Sequence, residues 1–340
     1  MSRNTPVGIK DIGQALGLSM MSVSRALRGV EGVSAETRNE ILQAAKHMGY
    51  RPNRNARSLA TAHSTLIGIS LPTLFSDVFP EILDGMRATF DHAGFDTVID
   101  TTDYNPIREA SWIERMLDWN AAGLVLSGVD HAVEVRKRLR GLKIPTLEIW
   151  DSTDDPIDMC VGVDHFSAGA SLGWYLVKLG YRCPAFAGVL EGKDTRADKR
   201  LNGLQFAFSQ SGVRAMRASR IDRRAAFEAG SRATEMLLTN SDPAPDVICY
   251  LNDHMAFGGM ATCIKRGISV PDDMGIAGFN DLEINAVLPL PITTVVTPRQ
   301  QMGALGAKNL VARINGAIVD RSIIVPTHIR EGRTTRAQSR

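Results

Sequence analysis

Apolar residues recur at helical spacing through the first fifty positions. Ile9, Ile12, Leu16 and Leu18 mark one short helix, Gly17 interrupts it, and Ser19 restarts the pattern as the N-cap of a second. The spacing predicts helix, tight turn, helix. Ser34 caps a third helix running to about Met48, with Ile41, Ala44, Ala45 and Met48 as its apolar stripe and Gly49 as its stop. Pro52 then disfavours helix at Arg51, so the chain leaves extended, and Asn53 can cap a helix through Leu59 that is too short to persist alone.

From Thr65 short apolar runs alternate with amphipathic helices: T65-L-I-G-I-S-L, a helix from Phe79, F95-D-T-V-I-D, a helix from Arg108, G123-L-V-L and P145-T-L-E-I. A second set follows, from M159-C-V-G-V through C183-P-A-F-A, a helix from Ala197, a strand near Ile221, a helix from Phe227, V247-I-C-Y and M274-G-I-A-G. Strand alternating with helix implies parallel sheets covered on both faces, here in two lobes of similar rhythm. The late segments I292-T-T-V-V, a helix from Pro298 to Asn315, and I323-I-V-P are expected to cross back and complete the lobes. In such sheets ligands bind beyond the carboxyl ends of the strands, so two facing lobes make one cleft.

In the second helix Val23 and Leu27 point one way, while Met21, Ser22 and Arg25 share the other face, which carries no acid. That face suits the major groove of DNA, where Arg forks onto guanine, Ser bonds to several base edges and Met touches a thymine methyl. Charge agrees with this reading. Residues 1–60 hold nine Lys/Arg against four Asp/Glu, so +5, whereas the whole 340-residue chain is formally +2. Positive potential is concentrated where phosphates would be met, although a solvated basic face has the same composition.

The stretches V33-S-A-E-T-R and Y50-x-P-N-x-x-A-R-x-L resemble the headpiece and hinge of the lactose/galactose repressor (LacI/GalR) family, and the likeness extends over nearly all of the chain. It implies a helix-turn-helix headpiece over 1–50, a hinge over 51–63, and over 64–340 an α/β effector and dimerisation domain of the type I periplasmic-binding-protein kind. Ser19, Met20, Met21, Ser22, Ser24 and Arg25 would then read DNA from the headpiece. The hinge helices of two subunits would pair in the minor groove, with Leu59 wedged between base steps, Ala56 allowing close approach and Asn53 at the start. An ordinary polar linker is the plainer reading of 51–63.

For the cleft, the resemblance points to Arg200, Asn252 and Asn280 as polar effector contacts, with Asn280 where the family usually has Asp. Trp150 stands where an acid is common, Arg196 where a small polar residue is, and Arg224 aligns with a pocket aromatic. Phe79 either stacks on a sugar ring or is a core aromatic at a helix start, and Asp164 and His165 would line the cleft from the second lobe. Three positions gain positive charge or lose negative charge, two of them in K193-D-T-R-A-D-K-R200, which points to an anionic effector, a sugar acid such as gluconate, although Lys193, Arg196 and Lys199 also read as solvated loop charges. The expected protein is a homodimeric repressor of carbohydrate or sugar-acid catabolism genes on a palindromic operator. A sugar receptor without a DNA role would explain the lobes but not the headpiece. The missing leucine heptads after Arg340 favour a dimer over a tetramer.

Other chemistries find little support. G169-A-S-L-G matches a nucleophile-elbow pattern, but its Ser171 falls inside a helix rather than on a turn after a strand. G188-V-L-E-G-K-D is one residue short of a phosphate loop, with Asp194 in place of Ser or Thr. No catalytic residues, metal ligands or cofactor are expected. Cys160, Cys183, Cys249 and Cys263 are scattered, as for buried thiols in a reducing cytoplasm, and neither a secretory leader nor an apolar run of membrane-spanning length is present.

Overall fold

The computed structural model describes residues 7–50, 64–213, 216–222, 226–239 and 243–337. The chain divides into two compact units, at Ser64–Thr65.

The first unit is built from α1 (Ile9–Leu16), α2 (Met20–Arg28) and α3 (Ala35–His47). Ser19 Oγ accepts the Ser22 N–H at 3.1 Å and Ser34 Oγ accepts the Thr37 N–H at 3.2 Å, so both predicted caps satisfy a backbone donor that the first helical turn leaves free. Gly8, with no side chain to offer α1, instead donates its own N–H to Asp11 at 2.8 Å. Ile12, Val23 and Ile41 are fully buried and knit the three helices together, with Leu16, Leu18, Leu27 and Met48 packed around them.

The second unit begins with β1 (Leu66–Leu71), α4 (Val78–His92), β2 (Asp96–Thr101), α5 (Pro106–Asp118), β3 (Gly123–Ser127), α6 (Val133–Leu142), β4 (Thr146–Asp151) and β5 (Met159–Val163). It continues with α7 (His165–Lys178), β6 (Pro184–Val189), α8 (Thr195–Gln210), β7 (Arg217–Ile221), α9 (Phe227–Thr239), β8 (Val247–Tyr250), α10 (Asp253–Arg266) and β9 (Gly275–Asn280). A 3-10 turn at Glu283–Val287, β10 (Thr293–Val296), α11 (Arg299–Ile314), β11 (Ser322–Ile324) and β12 (His328–Arg330) complete it. The first sheet has the order β11-β5-β4-β3-β1-β2 and is parallel throughout; the second, β12-β10-β9-β8-β6-β7, is parallel except for β12, which runs antiparallel to β10.

One expectation is corrected. The strand Met159–Val163 opens the second set in the sequence rhythm, but it hydrogen-bonds in the first sheet, with Leu147 opposite Met159 and Ser322 opposite Cys160. Periodicity marks a strand without saying which sheet closes its hydrogen bonds. The chain therefore crosses between the lobes around residues 163–165, 296–299 and 324–328.

Glycines let the covering helices meet backbone to backbone. A Cβ at Gly85 of α4 would run into the Gln300 carbonyl oxygen of α11, and one at Gly303 into the Ile82 carbonyl oxygen in return. The same device explains the G-x-S-x-G stretch: Gly169 and Gly173 of α7 lie against Arg200, Leu204 and Ala207 of α8, while Ser171 is exposed. Spacing that resembled a nucleophile elbow is a helix-packing stripe.

A buried polar network fixes one wall of the first lobe. His131 Nδ1 lies 2.9 Å from Glu109 Oε2 and Nε2 lies 3.1 Å from the Gly128 carbonyl oxygen. Both partners are acceptors, so the geometry calls for an imidazolium. Burial opposes that charge, but Glu109 and the fully buried Glu148 outweigh it and hold the His131 pKa above the ordinary range. Glu148 itself receives the Ile157 N–H and Arg136 Nη1.

Two outcomes follow from this packing. Gly85→Ala should lower the stability of the second unit by about 1–3 kcal/mol, because overpacking here meets backbone rather than a movable side chain; an unchanged melting temperature of the full chain would contradict the close crossing. His131 has a raised folded pKa, so its stabilisation is present below about pH 6.5 and lost as pH rises through the folded value. The advantage of the wild type over His131→Gln in thermal unfolding should therefore shrink from pH 6 to pH 9, and a constant difference would argue against the imidazolium.

Candidate functional site

In the first unit, α2 presents the predicted reading face. Met20 is 55% and Met21 64% exposed, and Arg25 is exposed one turn further on. Ser22 and Ser24 are half-buried, and the Ser19 hydroxyl is engaged by the Ser22 N–H and Oγ, which makes it a cap first. The Arg25 side chain lies beside Gly32, where a Cβ would stand 3.2 Å from Nη1. Arg38 pins the same loop by donating to the Val30 carbonyl at 2.7 Å, a role invisible in sequence because the partner is backbone. Asn53, Ala56 and Leu59 lie outside the described residues.

In the second unit a cavity of about 220 Å³ opens between the lobes. Its first-lobe wall is Ser70, Thr102, Tyr104, Ser127 and His131, at or just beyond the carboxyl ends of β1, β2 and β3, with Glu109 from the first turn of α5; Lys193 and Asp194 of the loop before α8 and Thr195 and Arg196 of its first turn close it. Thr195 Oγ1 donates to Asp130 across the opening. Except for the stretch K193-D-T-R196, the sequence offered no motif for these residues. The strand-end rule was the available signal, since each first-lobe residue except Glu109 follows or ends a strand.

Arg196 is buried and donates from Nε to Asp194 at 2.8 Å and from Nη1 to Ser127 at 3.3 Å, with the Tyr104 ring 5.7 Å away. Burial works to raise the Asp194 pKa, but Arg196 and Arg200 hold it below the usual carboxylate range. Lys199 is likewise paired, 2.6 Å from the buried Asp151.

Arg200 differs from both. Its Nε donates to His165 Nδ1 at 3.1 Å, its Nη1 donates to the Leu251 carbonyl at 2.8 Å, and its guanidinium lies 3.9 Å from the Phe279 ring centre. His165 Nε2 donates in turn to the Trp150 carbonyl at 2.9 Å, so that ring is the neutral tautomer with Nδ1 free to accept. Burial, then the neighbouring Arg200, pushes the His165 pKa well below the usual range. Burial also lowers Arg200 to about 10, leaving it charged at neutral pH. No carboxylate among the described residues forms an ion pair with it.

The other expected residues take varied positions. Trp150 is buried with a left-handed φ of 83°, edge-on to His165, and Phe79 is buried against Trp150 with ring centres 6.4 Å apart. Asn280, at the end of β9, is also left-handed (φ 109°), and its Oδ1 is buried with no partner among the described residues. Ser70 Oγ, at the end of β1, is in the same condition. Asp164 and Asn252 cap α7 and α10, accepting the Ser167 and Met255 N–H groups at 2.9 Å each. Arg224 lies outside the described residues.

Residues 8–53 match the family described as bacterial regulatory proteins, lacI family, and residues 174–335 the periplasmic binding protein-like domain. The HTH-type transcriptional regulator GntR of Escherichia coli (strain K12) is 33% identical over 319 residues, 94% of this chain and 95% of that protein. The crystal structure of a lacI-family transcriptional regulator from Silicibacter pomeroyi superposes with a TM-score of 0.90 at 33% identity, covering 98% of this chain and 100% of that one. The lac repressor dimer bound to operator and the anti-inducer ONPF shares the fold, with a TM-score of 0.82 at 22% identity over 98% and 100% of the two chains. Headpiece, lobes and a 33%-identical relative matched along almost its whole length lead to one assignment: the chain belongs to the lacI family of bacterial regulatory proteins and is a DNA-binding transcriptional regulator.

Proposed function

We propose that this regulator is a repressor that reads a palindromic operator as a homodimer through α2 and the hinge, and that a sugar acid of the gluconate kind, bound between the lobes, sets its DNA affinity. The observation that carries the effector class is Arg200. A buried cation whose direct contacts are an imidazole nitrogen, a carbonyl and a ring face has no carboxylate bonded to it, Asp194 and Asp151 acting on it only from a distance, and an arriving carboxylate would supply one in a bidentate geometry. Arg196 is spent on Asp194 and Lys199 on Asp151, so neither competes for that role.

Hydroxyl groups of the same ligand have partners nearby. Ser70 Oγ is unpaired and faces the cavity with Thr102, Ser127, Glu109 and Tyr104; Asn280 Oδ1, also unpaired, and Arg200 lie behind this lining. Trp150 and Phe79 act in this reading as packing behind the site, and Asp164 and Asn252 as caps that hold its strand ends in place. Binding without turnover is part of the proposal, and operator reading places the protein in the cytoplasm; no described helix is long and apolar enough to cross a membrane. The effector acts by favouring one arrangement of the lobes over another, and only as far as it binds the two differently.

A thermal-shift screen of the full chain against aldonates, uronates, sugar phosphates and neutral sugars tests the effector class. A ligand at 100 times its dissociation constant adds about 2.7 kcal/mol of stability, so an aldonate should raise the melting temperature measurably and Arg200→Ala should abolish the rise. Stabilisation by neutral sugars alone would refute the anion. On DNA, Arg25→Ala should cost about 1–3 kcal/mol at one base pair and relax specificity there. Equal loss on every operator variant would assign Arg25 to phosphate instead.

A further inference from the structure

The buried Arg299 sits where the chain crosses from β10 of the second lobe to α11 of the first. Its Nε and Nη2 each lie 2.9 Å from a carboxylate oxygen of Glu81 on α4, a two-pronged brace within the first lobe. The same guanidinium reaches the second lobe: Nη1 donates to the Asn280 carbonyl and, at 2.8 Å, to Thr297 Oγ1, and Nη2 donates to the Asp281 carbonyl at 3.3 Å. Those two carbonyls belong to consecutive left-handed residues, Asn280 at φ 109° and Asp281 at φ 57°. Non-glycine residues keep such conformations only where their surroundings over-determine them.

We infer that Arg299 is a positioning residue for Asn280, holding its backbone left-handed so that Oδ1 stays unpaired for the effector, and that through Glu81 it ties this strand end to α4. The inference rests on the cleft as the effector site. The planar fork is what the role requires, since a lysine ammonium is a single point and cannot serve a carboxylate and two carbonyls in fixed directions. The anchor is rigid, because α11 and α4 cross backbone to backbone at Gly303 and Gly85. A shift of Asn280 on binding is thereby delivered to the first helix of the first lobe rather than absorbed at the crossing.

Amide hydrogen exchange on the full chain tests this without any ligand. Both Arg299→Lys and Glu81→Gln should speed exchange several-fold at 280–282, although Glu81 lies in the other lobe; a Glu81→Gln effect confined to α4 overturns the proposal. Calorimetric titration with D-gluconate provides the second arm. Arg299→Lys should weaken binding by about tenfold, and combining it with Asn280→Ala should weaken binding no further than Asn280→Ala alone, whereas losses that multiply would show that Arg299 does not act through Asn280. Absence of D-gluconate binding to the wild type would count against the sugar-acid reading, and the exchange result would still decide this one.

Discussion

A buried charge with no carboxylate bonded to it is the constraint on which the proposed effector site depends. Arg200 keeps its proton at neutral pH although burial and the neighbouring Arg196 oppose it, because Asp194 and Asp151 favour the charge from a distance and the groups in contact accept from it or face it. Phe279 turns its ring face to the guanidinium, Leu251 offers a carbonyl, and His165 offers a lone pair that exists only while its other nitrogen donates to Trp150. Trp150 presents that carbonyl from a left-handed backbone at the end of β4. Removing any member would leave a buried donor or charge unmet, which costs more than the contact itself contributes. In the proposed reading an anion would add the directly bonded partner that the protein does not provide.

Around that point the lobes are stiff and the crossings few. Paired glycines bring α4 onto α11 and α7 onto α8 at the closest approach that helix backbones allow, so each lobe should move as a body. Asn280 and Arg299 border one of the three crossings and His165 another. An effector that touches strand ends from both lobes thus acts on the relation between two rigid bodies, and the coupling is thermodynamically reciprocal with DNA binding.

Much of this was legible in the residues, for physical reasons that differ by element. Ser19 and Ser34 announce helix starts because a hydroxyl there satisfies a free N–H, and the structure shows both bonds. Strand and helix periods describe both lobes, but they could not assign Met159–Val163 to its sheet, a matter of long-range pairing. The helix Val133–Leu142 was not read at all, its apolar stripe being thin among Arg, Lys and Glu. Arg196 and Arg200 stood out as charges near a strand end, yet their difference, one paired with Asp194 and the other with neutral groups, depends on partners scattered from Trp150 to Phe279. Tyr104, Ser127 and His131 converge on the cavity from two strand ends, a convergence that no local pattern records.

The most direct test of the account compares D-gluconate with D-glucitol, which differs by carrying an alcohol where gluconate carries a carboxylate, in calorimetric titrations of the full-length protein. If Arg200 awaits a counter-ion, gluconate should bind at least about a hundredfold more tightly, a difference of roughly 2.7 kcal/mol. Equal affinities would mean that the buried guanidinium is satisfied as it stands and that the effector is chosen by its hydroxyls.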